Sequence, residues 1–303
     1  MKLQFQSNPS GVGVEVQGLE LESAVPADIA QQLRALWLDR GVLVFREIGT
    51  SPEALLRLSH CFGELEPHPI EAFRLPGYDE LIQLGNENGM IGPVYEFDGQ
   101  ATYGRIPWHT DLAFSTTPNA GAVLRMVKCS QHGGQTGWTD TAMAWDALDD
   151  RVKARIDGLE ARYIFSPDLS GMRFNKPDGK LVSATQKKLP SYPPVAHPLV
   201  WIHPETGRNI LNISTLNIQS VMGMSEEESD ALIQLLIDHT LQEQFQYIHE
   251  WQNNDIVVWD NRRTMHKAFG HPVDDIRVVQ RSTIRGGAKM GRELPEHEMG
   301  AER

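Results

Sequence analysis

The chain has little cysteine, no long apolar run and no excess of positive charge, and each shortage removes a class of function. Two cysteines, Cys61 and Cys129, in 303 residues cannot build a disulfide framework, so a reducing cytoplasm is the expected compartment. No stretch approaches the run of about 18 apolar residues that a membrane helix needs. The N-terminal stretch MKLQFQSNPSGVGVEVQG has neither an apolar signal core nor a small-residue cleavage site, and no secretory leader is expected. With 28 Lys and Arg against 40 Asp and Glu the formal charge is −12, the wrong sign for general nucleic-acid binding through phosphate neutralisation. That balance leaves room for a small anion in a locally basic pocket. There is no internal repeat and no low-complexity tract. Hydrophobic residues at 40% and charged residues at 22% are ordinary for a chain that buries a real core, and a single domain over 1–303 is expected.

Helical patterning gathers near the start. Residues 26–40 carry Ile29, Leu33, Leu36 and Trp37 at helical spacing, with Pro26 suited to the first turn and Gly41 to the stop. Residues 52–62 read as a second helix, so the N-terminal helices occupy about 26–62. One later helix, 225–240, opens on Ser225 with Glu228 three residues on, a capping-box pattern. Strand candidates cover 12–16, 42–45, 81–84, 120–127, 159–165, 197–202, 210–213, 245–251, 256–259 and 276–284. So many short strands outside a helical start predict a mainly β fold with flanking helices, a sandwich or barrel of antiparallel strands. Two stretches, 86–107 and 166–194, read as long lid-like loops, and 286–303 as a polar tail.

The chemistry-bearing residues start with Trp108-His109-Thr110-Asp111. In an extended chain residues i and i+2 share a face about 7 Å apart, so an imidazole and a carboxylate could reach one ion. Alone the pair is weak, because the chain holds 11 histidines and many aspartates. A third ligand could come from His266, which follows the apolar strand 256–259. Two imidazoles and one carboxylate on one face of an octahedron suit a non-haem iron(II) site with open positions. His132, His197, His203, His239, His249, His271 and His297 show no ligand spacing and read as surface or hydrogen-bonded residues.

Arg277 and Arg281 are four residues apart on a strand and therefore share a face. Two arginines facing a β interior are costly unless they meet anions, and a guanidinium fork matches a carboxylate. A structural pairing with a buried Asp or Glu is the plainer alternative. Thr136, in Gly133-Gly134-Gln135-Thr136, adds a hydroxyl that could share the same anion.

Taken together these residues resemble the taurine dioxygenase / 2,4-dichlorophenoxyacetate dioxygenase family of Fe(II)/2-oxoglutarate-dependent dioxygenases, from Gly11 to about Gly287. The matching stretches are GVLVFR (41–46), FGELEPHP (62–69), WHTDLAF (108–114), GGQT (133–136), NDIVVWDNRRTMH (254–266) and RVVQRSTI (277–284). The resemblance implies a double-stranded β-helix (jelly-roll) core. It implies His109, Asp111 and His266 as iron ligands, with Thr136 and Arg277 on the distal carboxylate of 2-oxoglutarate. Arg281 would lie between the proximal carboxylate and an anionic group of the substrate, and His68 would reach the substrate's anionic end. Trp259 and Asp260 would shape the turn before the third ligand. Dioxygen would be consumed and succinate and carbon dioxide released as a small substrate is oxidised, most simply by hydroxylation. Having Asp111 in place of Gly or Ala argues against a halogenase.

Where the taurine enzyme has an asparagine and a tyrosine on its substrate, this chain has Arg105 and Glu71, which argues against taurine itself. Phe165 and either Thr215 or Leu216 fall near other pocket positions. The expected substrate is a carboxylate, sulfonate or sulfate ester meeting Arg281 and His68 or Arg105, and the expected assembly is a homo-oligomer without nucleic acid or membrane. Two alternatives stay open at this level: a non-haem iron oxygenase that does not use 2-oxoglutarate, and a jelly-roll binding or sensor protein with a vestigial metal site.

Overall fold

Two apolar runs, VLVF at 42–45 and IVVW at 256–259, explain how the layers stack. In the computed structural model the described residues are all but 1, 69–70, 88–93, 167–168, 170–171, 175–178, 184–190, 296–297 and 299–303. Strands Val42–Phe45 and Ile256–Asp260 pair antiparallel, Val44 opposite Val257 and Leu43 opposite Val258. Leu43, Phe45, Ile256 and Val258 join one core with Leu33 and Trp37 of helix Ala27–Arg40 and Leu55 and Leu58 of helix Pro52–Ser59. Val42, Val44, Val257 and Trp259 face the other way, into a core that includes Leu124 and Trp138. Strands covered on both faces read as continuous apolar runs instead of alternating ones.

These strands lie inside an eight-stranded sheet, ordered Gln4–Ser7, Val14–Gln17, Val42–Phe45, Ile256–Asp260, Gly121–Lys128, Val278–Ile284, Tyr78–Gly85 and Arg74–Leu75. Facing it is a six-stranded sheet, ordered Lys180–Ser183, Val94–Phe97, Gln100–His109, Thr264–Pro272, Thr136–Asp140 and Gln246–His249. The two sheets form the expected jelly roll with flanking helices. Val14–Gln17 with Val42–Phe45 is a parallel pair, whereas the strands that carry the site are antiparallel to their neighbours.

The helices start and stop where local chemistry requires. Helix Ala27–Arg40 buries Ile29, Leu33 and Trp37 and ends at Gly41, whose φ of 73° is a left-handed stop. Ser51 caps helix Pro52–Ser59 by accepting from the Ala54 N–H. Helix Glu226–Thr240 carries the full capping box of Ser225 and Glu228. Among the described residues no helix is long and apolar enough to cross a membrane.

Four expectations need correction. The supposed loop 86–107 contains a two-stranded hairpin, Val94–Phe97 with Gln100–His109, turned by Asp98 and Gly99 at φ of 50° and 78°, the left-handed pair that tight hairpins favour. Its polar and glycine content hides the strand period, because only Val94, Tyr95, Tyr103 and the Pro107–His109 end are buried. Residues 88–93 lie outside the described residues, as does much of 166–194, where strand Lys180–Ser183 nonetheless pairs with Val94–Phe97. The tail is not wholly peripheral: Arg292–Glu293 pairs with Val195–Pro198, Arg292 bridges Glu160 at 2.8 Å, and Met290 and Leu294 are buried. Helices Thr141–Ala147 and Asp150–Ile156 add to the one later helix expected; each is only 7 residues long, too short to show helical periodicity.

One buried charge ties these layers together. Arg263 pairs with Asp140, the N-cap of Thr141–Ala147, and donates to the carbonyls of Leu38 at 3.0 Å and Asp39 at 2.9 Å, at the end of helix Ala27–Arg40 where a cation offsets the helix dipole. Arg263→Met should therefore strand Asp140 in the interior and destabilise the fold by about 3–5 kcal/mol. Urea unfolding followed by circular dichroism checks this; a loss below about 1 kcal/mol would contradict it.

Candidate metal centre

Strand pairing alone brings two histidines together. In the six-stranded sheet Thr264–Pro272 runs antiparallel to Gln100–His109, with His266 directly opposite His109 and their ring centroids 4.1 Å apart. The ladder shifts register between His266 and Ala268, the kind of bulge that re-aims side chains beside active sites. Asp111 arrives differently from expectation. The strand ends at His109, and Asp111 sits in the following turn, where Leu112 has a φ of 55°. The i, i+2 spacing still brings the groups together, through a turn instead of a continued strand. Asp111 Oδ1 lies 3.6 Å from His109 Nε2 and 3.8 Å from His266 Nε2.

These three groups fit a divalent ion. All three candidate ligand atoms lie within 4.8 Å of one another; cis ligands about 2.1 Å from one ion would lie about 3 Å apart, so a small closure suffices. His109 Nδ1 is 2.8 Å from the Pro107 carbonyl, which can only accept. That contact leaves Nε2 as the ring nitrogen facing Asp111, the outer-shell arrangement common for metal-bound histidine. Burial opposes charge on Asp111, but Arg281, then His266 and His109, outweigh it and hold the carboxyl well below the usual carboxylate range. Burial, with His109 adding to it, holds His266 well below the usual histidine range against the pull of Asp111. Asp111 is thus charged and His266 neutral at pH 7, the states that bind metal.

The ligands open onto a cavity of about 370 Å³ between the sheets. Arg105, Arg277 and Arg281 line it together with Thr136, against apolar walls that include Leu84, Ile106 and Leu124. Arg277 precedes strand Val278–Ile284 by one residue. Its Nε is buried without a hydrogen-bond partner, and no carboxylate among the described residues pairs with it. Burial pulls its guanidinium down to about 10, so it remains cationic at neutral pH. Room for it comes from Gly134, where a Cβ would lie 3.3 Å from Arg277 Cδ and Nε. Thr136 accepts the Trp251 indole N–H at 3.0 Å, leaving its own proton for another acceptor. Arg281 pairs with Asp111 Oδ2 and stands 5.2 Å over the Trp259 ring.

The remaining sequence candidates are scattered. Arg105 lines the cavity and covers the Phe97 ring at 4.3 Å. Among the described residues His68 and Phe165 do not line it. His68 packs edge-on against Phe73, itself a wall residue, while Phe165 clusters with Phe114 and Tyr192. Glu71 is exposed, the Thr215 hydroxyl donates to the Trp108 carbonyl, and Leu216 packs in a cluster with Tyr95 and Met172. His203 and His249 are buried against Asp260 and Asp255, and His297 lies outside the described residues. Reading the residues missed His271, which lines the cavity, and Asn261, whose amide touches the Asp111 backbone. Their only sequence signals were position, His271 on the strand of His266 and Asn261 beside Asp260.

Comparison with known proteins finds relatives over most of the chain. A family model described as Taurine catabolism dioxygenase TauD, TfdA family matches residues 4–283. The (S)-phenoxypropionate/alpha-ketoglutarate-dioxygenase of Sphingobium herbicidovorans is 32% identical over 256 residues, covering 84% of this chain and 85% of that protein. The alkylsulfatase of Acinetobacter baylyi is 27% identical over 293 residues, covering 96% of this chain and 87% of that protein. A solved structure of a taurine dioxygenase from Burkholderia xenovorans is similar with a TM-score of 0.77 at 26% identity, covering 97% of this chain and 96% of that one.

Among the described residues the geometry predicts one divalent-ion site. Titration with Mn(II), read from the electron paramagnetic resonance of the free ion, should show affinity falling more than about 100-fold in His266→Ala and Asp111→Ala, beyond the 10–100-fold typical of lost outer-shell partners. Unchanged affinity in either variant would dismiss that residue as a ligand.

Proposed function

The chain belongs to the taurine catabolism dioxygenase (TauD, TfdA) family, and from that premise we propose that His109, Asp111 and His266 hold its iron while Arg277, Thr136 and Arg281 hold its co-substrate. The chain is an Fe(II)/2-oxoglutarate-dependent dioxygenase. The binding-protein alternative and the oxygenase without 2-oxoglutarate, both open on the residues alone, fall away with that membership. When bound, iron and 2-oxoglutarate supply the oxidising chemistry, consuming dioxygen and releasing succinate and carbon dioxide as the substrate is oxidised.

The protein's share is binding, orientation and exclusion of water. The observation that carries the co-substrate assignment is Arg277, a buried cation with no carboxylate partner among the described residues, facing the cavity that the three ligand groups share. A buried charge is costly unless paired, and a carboxylate gripped by its planar fork would complete it. Thr136 can donate a hydrogen bond to the same carboxylate. Arg281 sits at the other functional point, against Asp111, suited to a second carboxylate close to the ion. Two cationic points beside one metal site match a dicarboxylate such as 2-oxoglutarate.

The substrate proposed is a small organic anion with an apolar body, a carboxylate, sulfonate or sulfate ester, oxidised by hydroxylation. Arg105 supplies positive charge not committed to the co-substrate, Arg281 is shared between the co-substrate's second carboxylate and the substrate's anionic group, and Leu84, Ile106, Leu124 and Phe73 supply apolar wall. The relatives named for (S)-phenoxypropionate and alkyl sulfate point the same way. Substrate-stimulated succinate release, screened over carboxylates, sulfonates and sulfate esters, tests this; stimulation by neutral or cationic compounds alone would refute it. Arg277→Ala should raise the apparent constant for 2-oxoglutarate about 30–150-fold, the equivalent of about 2–3 kcal/mol for a lost charge-assisted hydrogen bond. An unchanged constant would remove Arg277 from the co-substrate site.

A further inference from the structure

The carboxylate ligand stands on the least supported backbone of the three. His109 and His266 lie in paired strands, but Asp111 follows the strand end, in a turn whose next residue, Leu112, holds a φ of 55°, a conformation uncommon for a branched side chain. Left alone, such a turn would sample several positions. A metal site needs its ligands held within about 0.5 Å by supporting groups.

We infer that Asn261 is the positioning residue for Asp111, holding the backbone of that residue where its carboxylate meets the two histidines. The inference rests on the proposed ligand role of Asp111. Asn261 Oδ1 accepts the Asp111 N–H at 2.9 Å, and Asn261 Nδ2 donates to the Asp111 carbonyl at 3.0 Å. One planar amide thus occupies both hydrogen-bonding groups of the residue, as a neighbouring strand would. Asn261 is itself fully buried and anchored from behind. Its Nδ2 also lies 3.1 Å from Asn119 Oδ1 and 3.2 Å from the Asn119 carbonyl, Asn119 Nδ2 donates to the Gly121 carbonyl at 2.9 Å, and the Asn261 N–H donates to the Ala120 carbonyl at 3.0 Å.

Two neighbours extend the support along the turn. Ser214 Oγ accepts the Thr110 N–H at 3.1 Å, and the Thr215 hydroxyl donates to the Trp108 carbonyl. Asn261 is the member of this set that touches the ligand residue. It lies five positions before His266 in the chain, so one short segment supplies a histidine ligand and fixes the carboxylate one.

The test compares Asn261→Ala and Asn261→Asp with wild type and with Asp111→Ala, using Mn(II) as the probe. The Asp variant keeps shape and an acceptor for the Asp111 N–H but loses the donor to its carbonyl. Both Asn261 variants should bind Mn(II) 10–100-fold more weakly, with an altered line shape of the bound ion and wild-type far-ultraviolet circular dichroism at 10 °C (~10 °C, far below a typical melting point). A purely structural role would lower the melting temperature and leave Mn(II) affinity in the cold unmoved. A folded variant binding Mn(II) within about twofold of wild type would therefore overturn the inference, as would loss of fold in both variants, which would make Asn261 a support of the core. Wild-type Mn(II) affinity in Asp111→Ala would instead overturn the ligand reading, and the clamp with it.

Discussion

The antiparallel pairing of residues 100–109 with residues 264–272 is the interaction on which the site depends. Its register sets His109 against His266, and a one-residue slip would turn one of the two to the opposite face of the sheet. Thr264–Pro272 is an interior strand, with Thr136–Asp140 on its other side and Trp138 opposite His266. Two ladders therefore hold one register, and the same strands bring in Thr136, Arg105 and His271 as cavity wall. The site is a consequence of how two strands of the jelly roll align.

Charge in the cavity runs against charge on the whole chain. The chain carries a formal −12, yet Arg105, Arg277 and Arg281 face the cavity with Asp111 as their acidic counterpart. Arg281 pairs with Asp111 through one terminal nitrogen, and that pairing, beyond the neighbouring histidines, keeps the carboxylate ionised against the cost of burial. Arg277 differs. A buried guanidinium without an anion is unfavourable enough that burial drags its proton affinity down, and a fold retains such a group at a cost in stability that a bound carboxylate would relieve. Net charge informs on solubility and bulk partners; specificity follows from the few buried groups.

What the sequence made legible follows from burial. Apolar strands covered on both faces, such as 42–45 and 256–259, and helices with a buried stripe and strong caps, such as 226–240, carry patterns strong enough to read without a structure. The hairpin 94–109 was hidden because its buried residues are few and its turn is made by Asp98 and Gly99, which also mark loops. The short helices from Thr141 and Asp150 had no room to show a period. At the site, residue type and spacing pointed to His109, Asp111 and His266, but only pairing in space could bring His266 to the other two. Asn261 was not legible at all: an asparagine beside a turn is ordinary, and its significance lies in a backbone contact with a residue far away in the chain.

The segment from Trp259 to His266 concentrates the connections between fold and site. Trp259 lies under the Arg281 guanidinium. Asp260, fully buried, accepts from Arg262 and from His203, and although burial opposes its charge those partners hold its carboxyl far below the usual range. Asn261 grips Asp111, Arg263 reaches the helix end at Leu38 and the cap at Asp140, and His266 faces His109. These contacts reach a core, a helix terminus and the candidate ligands, so the turn cannot shift without disturbing all three together. Because a buried ion pair is weak as a source of net stability but costly to break, the pairs at Asp260 and Asp140 act chiefly to make one geometry of this turn the only comfortable one. That selectivity is what a metal site built from distant residues requires, since its ligands converge only if the turn between the strand of Trp259 and the strand of His266 has a single conformation.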